Sequence, residues 1–186
     1  MPTDKKLIVI IGITGQQGGS VAKVFQSEPG WHFRGVTREP YSTSDAHLRE
    51  AGIELIAAAD LDNVPSLERA FEGADAIFSV TDFWQFVKPG RQILAQARQQ
   101  NRQPIALAYE REFQQGKNII DAAAKVHAMK PLHRLTISTL ADLRKWSNGE
   151  SSTIFTLRAK LLTANTSRPR TQSLRGSVVT SKWVTI

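Results

Sequence analysis

The 186-residue sequence predicts an α/β fold, a doubly wound parallel sheet of about five strands with helices on both faces. Three observations predict it. Short apolar runs alternate with stretches of helical period from residue 6 to residue 144, as successive βαβ units require. The runs are apolar throughout rather than every second residue, as strands covered on both faces should be. The first run passes through a glycine-rich turn, Gly12-Ile-Thr-Gly15-Gln-Gln-Gly18, straight into a helical pattern.

The first strand is expected at residues 7–11, and its five apolar residues are too few for a signal-peptide core or a membrane span. A helix follows at 17–26, with Val21, Val24 and Phe25 at helical spacing on one face. The second strand falls at 33–37, a helix at 44–51, and the third strand at 54–57. In the next helix, 64–71, Ser66 can cap a turn that buries Leu67, Ala70 and Phe71. The fourth strand is expected at 76–80. From 89 to 128 the pattern is helical, but Pro104 and the run 105–109 interrupt it. Two helices, about 91–100 and 112–128, are therefore expected, with a loop or extended piece between them. Gly52, Gly73 and Pro131 stop their helices, and residues 135–138 form the fifth strand.

Composition narrows the function classes. The chain has no Cys, which excludes disulfides, Cys-ligated zinc and thiol catalysis, and points to an intracellular compartment, cytoplasm or nucleus. The net charge of +7 is unevenly placed. Residues 151–186 hold six of the 24 basic residues and no acidic one, which leaves 18 basic against 17 acidic residues in 1–150. The basic character thus belongs to a tail that also holds 13 Ser or Thr and has no sustained period. Such a composition predicts an irregular or disordered extension, 151–186, behind one domain, 1–150. Without interleaved aromatics, its charges point to a solvated segment rather than to nucleic-acid binding. Neither a membrane span nor a metal-ligand spacing among the four His is visible.

The glycine turn carries chemistry. Gly12 permits the tight strand-to-helix turn, Gly15 lets backbone approach a pyrophosphate, and Gly18 brings helix and sheet together, with the helix N-terminus facing the negative charge. This is the fingerprint of a Rossmann-like dinucleotide site. About twenty residues on, the second strand ends at Thr37-Arg38-Glu39, where Arg38 would accommodate the 2′-phosphate of NADP(H) and Glu39 would serve NAD. NADP is the expected cofactor and NAD the second choice. In Asp60-Leu61-Asp62 a carboxylate could accept from the adenine amine, and a helix-capping turn accounts for the segment equally well. The segment Val80-Thr81-Asp82-Phe83-Trp84 leaves the fourth strand at the crevice edge, where its aromatics pack as a lid or touch substrate. Ser138 and Thr139 end the fifth strand, as turn residues or as hydroxyls facing the nicotinamide.

The segments GITGQQGGSVAK, GVTREP, AADLDNVPSLERAFEGADAIFSVTDFW and QQGKNIIDAAAKV together resemble, in order and spacing, the NmrA-like family of atypical short-chain dehydrogenases/reductases. The resemblance covers about residues 6 to 149. It implies a Rossmann domain that binds NADP(H) or NAD and then a smaller substrate-side domain. It also implies, for some members, cofactor sensing through protein contacts, such as with GATA-type transcription factors. Other members are reductases. By position, the resemblance implies that Gly12, Thr14, Gly15, Gln17 and Gly18 line the pyrophosphate, Arg38 the 2′-phosphate, and Thr81, Asp82 and Phe83 the nicotinamide side.

After about residue 149 the pattern departs from the family, so the substrate-side domain is expected to be missing, with a reading-frame change or alternative splicing near Gly149 as the expected origin of the tail. A reductase of this group uses a Tyr with a Lys four residues on. Here Asp45 follows Tyr41 and Phe113 follows Tyr109 at that spacing, and no catalytic residue is assigned. The sequence therefore points to a non-catalytic NADP(H)-binding sensor with a regulatory protein partner, and secondly to an NADP-dependent oxidoreductase with an unusual acid.

Overall fold

The alternation of side chains along β1 (Lys6–Ile11) divides the core in two. In the computed structural model, which describes residues 5–57, 61–88, 92–138 and 183–184, Leu7, Val9 and Ile11 join a cluster with Leu67, Phe71, Ile119 and Ala123. Ile8 and Ile10 join another with Ala22, Leu48 and Ile53. A strand with helices on both faces needs branched apolar residues at every position, and LIVII supplies them. Burial of a Val or Ile of this kind stabilises the fold by roughly 1.5–3 kcal/mol.

The chain continues through α1 (Gln16–Gln26), β2 (Trp31–Thr37), a 3-10 turn (Thr43–Asp45), α2 (Ala46–Glu50), β3 (Glu54–Ala57), α3 (Val64–Phe71) and β4 (Ala76–Ser79). Then come α4 (Trp84–Val87), α5 (Gln92–Gln99), α6 (Pro104–Met129), β5 (Arg134–Ile137) and β6 (Trp183–Val184). The sheet order is β3-β2-β1-β4-β5-β6. The first five strands are all parallel, and the Rossmann-like fold read from the sequence is the one observed. Two residues of the basic tail extend the sheet: β6 runs antiparallel to β5, with Val184 opposite Leu135. No period in the sequence marked them. Everything else expected of residues 151–186 lies outside the described residues.

Several local expectations are corrected. The stretch from Pro104 to Met129 is one helix of 26 residues, without a break at 105–109. Proline at the first helical position leaves φ helical and removes an N–H that has no partner there anyway, so Pro104 starts α6 rather than interrupting it. Helix α3 is capped by Asn63, whose side chain accepts from the backbone N–H of Ser66 at 3.1 Å, so Ser66 is the capped residue and not the cap. Its burial face is as expected: Leu67, Ala70 and Phe71 are all fully buried. On α1, Val24 is 63% exposed. The inward stripe is Gly18, Val21, Ala22 and Phe25, the i, i+3, i+4, i+7 set, and Val24 lies off it.

A buried carboxylate ties two strands to α6. Asp75, just before β4, accepts from the backbone N–H of Leu7 at 2.8 Å and from Lys130 Nζ at 2.8 Å. Burial pushes the Asp75 carboxyl up, but the hydrogen bonds from Lys130 and Leu7, with the nearby charges of Lys130 and His133, outweigh this and hold it below its ordinary value of 3.8. A depressed folded-state pKa contributes stability that is present above the unfolded value and is lost as pH falls through the folded value. The domain should therefore lose stability progressively as pH falls below about 4, and Asp75→Asn should flatten that decline while lowering stability at pH 7. Equal acid slopes in urea unfolding of the two proteins would contradict this.

Candidate functional site

The chain winds outward from β1 through β2 to β3, then returns to lay β4 on the other side of β1, so a crevice opens between the carboxyl ends of β1 and β4. The glycine turn closes its floor. Gly12 has φ +75°, and an added Cβ there would stand 3.3 Å from Val80. Its amide donates to the Val36 carbonyl at 3.2 Å, and its own carbonyl accepts from the Gly15 amide at 2.9 Å. At buried Gly18 a Cβ would lie 2.2 Å from the Gly12 carbonyl oxygen and 2.9 Å from Ile13 Cα, so only glycine lets α1 come this close to the end of β1. Gly15 differs. It is the exposed N-cap of α1 in extended conformation, φ −88°, which any residue adopts.

The N-terminus of α1 carries no side-chain cap and no acidic residue in its first turn. Its backbone N–H groups and the positive end of its dipole thus face the crevice unneutralised by the helix's own side chains. Ile11, Gly12 and Thr14 from β1 and its turn, Val36, Thr37 and Arg38 from β2, Leu61 before α3, Val80, Asp82 and Gln85 after β4, and Gln115 from α6 line a cavity of about 160 Å³. An open groove of about 930 Å³ adjoins it between α1 and α2, bordered by Thr14, Gly15, Lys23, Arg38, Ser42 and His47. Arg38 stands at the junction and donates to Gln85 Oε1 across the crevice mouth at 3.3 Å.

The structure brings together most of the residues expected at the site and separates others. Gly12, Thr14, Arg38, Leu61 and Asp82 line the cavity, Gly15 borders the adjoining groove, and Gln17 is exposed in the first turn of α1. Thr81 is buried, and its hydroxyl donates to Glu112 Oε1 on α6 at 2.7 Å. Phe83 is also buried, packed with Ile93 and Ala108, while Trp84 beside it is 67% exposed. Of the segment after β4, then, Val80, Asp82 and Gln85 face the crevice, while Thr81 and Phe83 pack inward. Asp60 lies outside the described residues, as does Thr139. Asp62 binds Arg111 at 2.8 Å, which fits a structural role for that carboxylate.

Sequence reasoning missed Gln85 and Gln115. Nothing in the local pattern distinguishes Gln85. Gln115 did leave a signal once α6 is continuous: at positions 108, 112, 115, 119, 122 and 126, spaced for one face, two of the six are polar where core residues are expected. Of the two tyrosines, Tyr41 is 88% exposed, and Tyr109 lies stacked on Phe113 with ring centroids 6.5 Å apart. Among the described residues no cluster of His, Asp or Glu could hold a metal ion, and no helix is long and apolar enough to cross a membrane.

Comparison with known proteins agrees with the Rossmann-like fold. A model described as the NmrA-like family matches residues 4–160, reaching into the stretch that composition marks as tail. The NmrA-like family domain-containing oxidoreductase FrzB of Cladobotryum sp is 34% identical over 122 residues, covering 63% of this chain and 30% of that protein. The chain thus spans under a third of that relative's length. NmrA-like family domain-containing protein 1 of Rattus norvegicus is 27% identical over 144 residues, covering 76% of this chain and 93% of that protein. Among solved structures, NmrA, a negative transcriptional regulator crystallised in complex with NAD and with NADP, superposes with TM-score 0.62 at 21% identity, over 87% of this chain and 41% of that one.

Proposed function

The chain belongs to the NmrA-like family, and from that premise we propose that it binds a nicotinamide adenine dinucleotide in the β1–β4 crevice, NADP(H) in preference to NAD(H), and acts as a cofactor sensor through protein contacts. The uncapped N-terminus of α1, pressed against the glycine turn beside Arg38, carries the proposal. Three features there fit one ligand. The free helix N–H groups suit a pyrophosphate, the Cβ-free surface at Gly15 lets backbone approach it, and the Arg38 guanidinium offers charge-assisted hydrogen bonds to a 2′-phosphate.

In this arrangement the ligand's phosphates replace water at the N-terminus of α1, and a 2′-phosphate would draw Arg38 away from Gln85. Because Gln85 sits on α4 beside exposed Trp84, the presence of the phosphate is felt on the protein surface at that helix. This is the physical content of sensing: a ligand acts on an equilibrium only through contacts that differ between two states. The solved NmrA, a regulator held with both NAD and NADP, supports the sensor reading by analogy.

The second reading is an NADP-dependent oxidoreductase, favoured by the names of relatives such as FrzB. It needs a proton donor at the reacting ring, and the position four residues after Tyr109, where this group of reductases carries Lys, is Phe113, on which Tyr109 stacks. NADPH should accordingly bind without being oxidised above background by aldehydes, ketones or quinones, followed by absorbance at 340 nm. Saturable turnover with any of them would replace the sensor reading with the second one.

A further inference from the structure

We infer that Gln115 reads the base of the bound dinucleotide, its side-chain amide pairing with the exocyclic amine and neighbouring ring nitrogen of adenine. The inference rests on the crevice being the dinucleotide site. Gln115 is 4% exposed and lines the crevice from α6, yet its Oε1 accepts no hydrogen bond among the described residues. On the same helix Asn118 donates to the Leu61 carbonyl at 2.9 Å and accepts from Gln114 at 2.8 Å, and Glu112 accepts from Thr81 through Oε1. An amide so deeply placed without an acceptor bond is costly unless a further group completes it.

The surroundings indicate which group. Ile11, Val36, Leu61 and Val80 give the cavity apolar walls, suited to a flat heteroaromatic ring rather than to a sugar or a phosphate. A side-chain amide offers one donor face and one acceptor edge, which a half-turn about its last bond exchanges. Adenine presents the complementary pair, an N–H beside a ring nitrogen, and glutamine meets it with two hydrogen bonds. The nicotinamide carboxamide carries a similar pair, but Arg38 shares this cavity with Gln115. The ring adjacent to a 2′-phosphate held by Arg38 is adenine. Asp82, at the rim, brings acceptors alone and cannot make the two-way match.

The test is the equilibrium affinity of the full chain for NADPH and for its analogue with unsubstituted purine in place of adenine, measured for the wild type and for Gln115→Leu. The wild type should bind NADPH about tenfold more tightly than the purine analogue, the loss expected for one hydrogen bond to a buried partner. Gln115→Leu should bring the two affinities together by weakening NADPH. A merely structural role for Gln115 would lower both affinities and leave the ratio unchanged. Equal wild-type affinities, or a ratio preserved in Gln115→Leu as reading by Asp60 alone would give, overturns the inference and leaves the site standing. A wild type that binds neither dinucleotide removes the site and the inference together. The wild-type ratio needs no variant, so the inference stays open to refutation even if Gln115→Leu fails to fold.

Discussion

Gly15→Val should remove binding of both NADPH and NADH while the domain remains folded, whereas Gly18→Ala should destabilise the fold itself. The two glycines lie three residues apart in one turn, and the structure gives them different duties. At Gly15 the backbone is extended, and an added Cβ meets its nearest neighbour, the Gly12 carbonyl oxygen, at 3.3 Å, a tight contact that a few tenths of an ångström relieves. The branched valine side chain would then stand where the pyrophosphate approaches the helix N-terminus, and affinity should fall by about 100-fold or more, the equivalent of about 3 kcal/mol. At Gly18 a single methyl would overlap the Gly12 carbonyl at 2.2 Å and the Ile13 backbone at 2.9 Å. Backbone cannot rotate away as a side chain can, so α1 must lift off β1, at a cost of about 3 kcal/mol by the scale of overpacked cores. Circular dichroism melting with dinucleotide titration separates the two outcomes. A Gly15→Val protein that is folded and still binds would place the ligand elsewhere.

Arg38→Ala should weaken NADPH by about 10- to 100-fold, the loss of charge-assisted hydrogen bonds worth about 1.5–3 kcal/mol, and leave NADH nearly unchanged. Arg38 is exposed, and it donates to the neutral Gln85 at 3.3 Å, near the limit of a hydrogen bond, so truncating it breaks no ion pair among the described residues. The ratio of the two affinities is therefore a clean readout. A variant that keeps the wild-type preference for NADPH would show that another cation reads the phosphate. Lys23, across the adjoining groove, is the candidate the structure offers for that outcome.

The strands were legible in the sequence because each is short, apolar and bounded by turn residues. The five expected strands fall within two residues of those observed, and the largest difference is at the start of β2, where the exposed His32 interrupts the apolar run. The helix α6 was misread because the sequence 105–109, Ile-Ala-Leu-Ala-Tyr, is apolar in both periods. What decides its state is the position of Pro104 as the first residue of a helix, which a local pattern does not fix. The site was half legible. Glycine spacing and Arg38 follow from the chemistry of phosphate at a helix end, which is local to one βα unit. The inward packing of Thr81 and Phe83 was hidden because it depends on Glu112, Ile93 and Ala108, which come from later elements. Gln115 reaches the crevice from α6, more than fifty residues beyond Leu61 opposite it, and no nearby motif announces such a contribution.

The measurement that bears most directly on the central claim is titration of the wild-type chain with NADPH and NADH, followed by calorimetry or by quenching of tryptophan fluorescence. Exposed Trp84, next to Gln85 of the crevice lining, is the reporter. Saturable binding of both, with NADPH tighter by about 10- to 100-fold, is the expected result. No saturable change with either dinucleotide at millimolar concentration would contradict the claim that this crevice is a dinucleotide site.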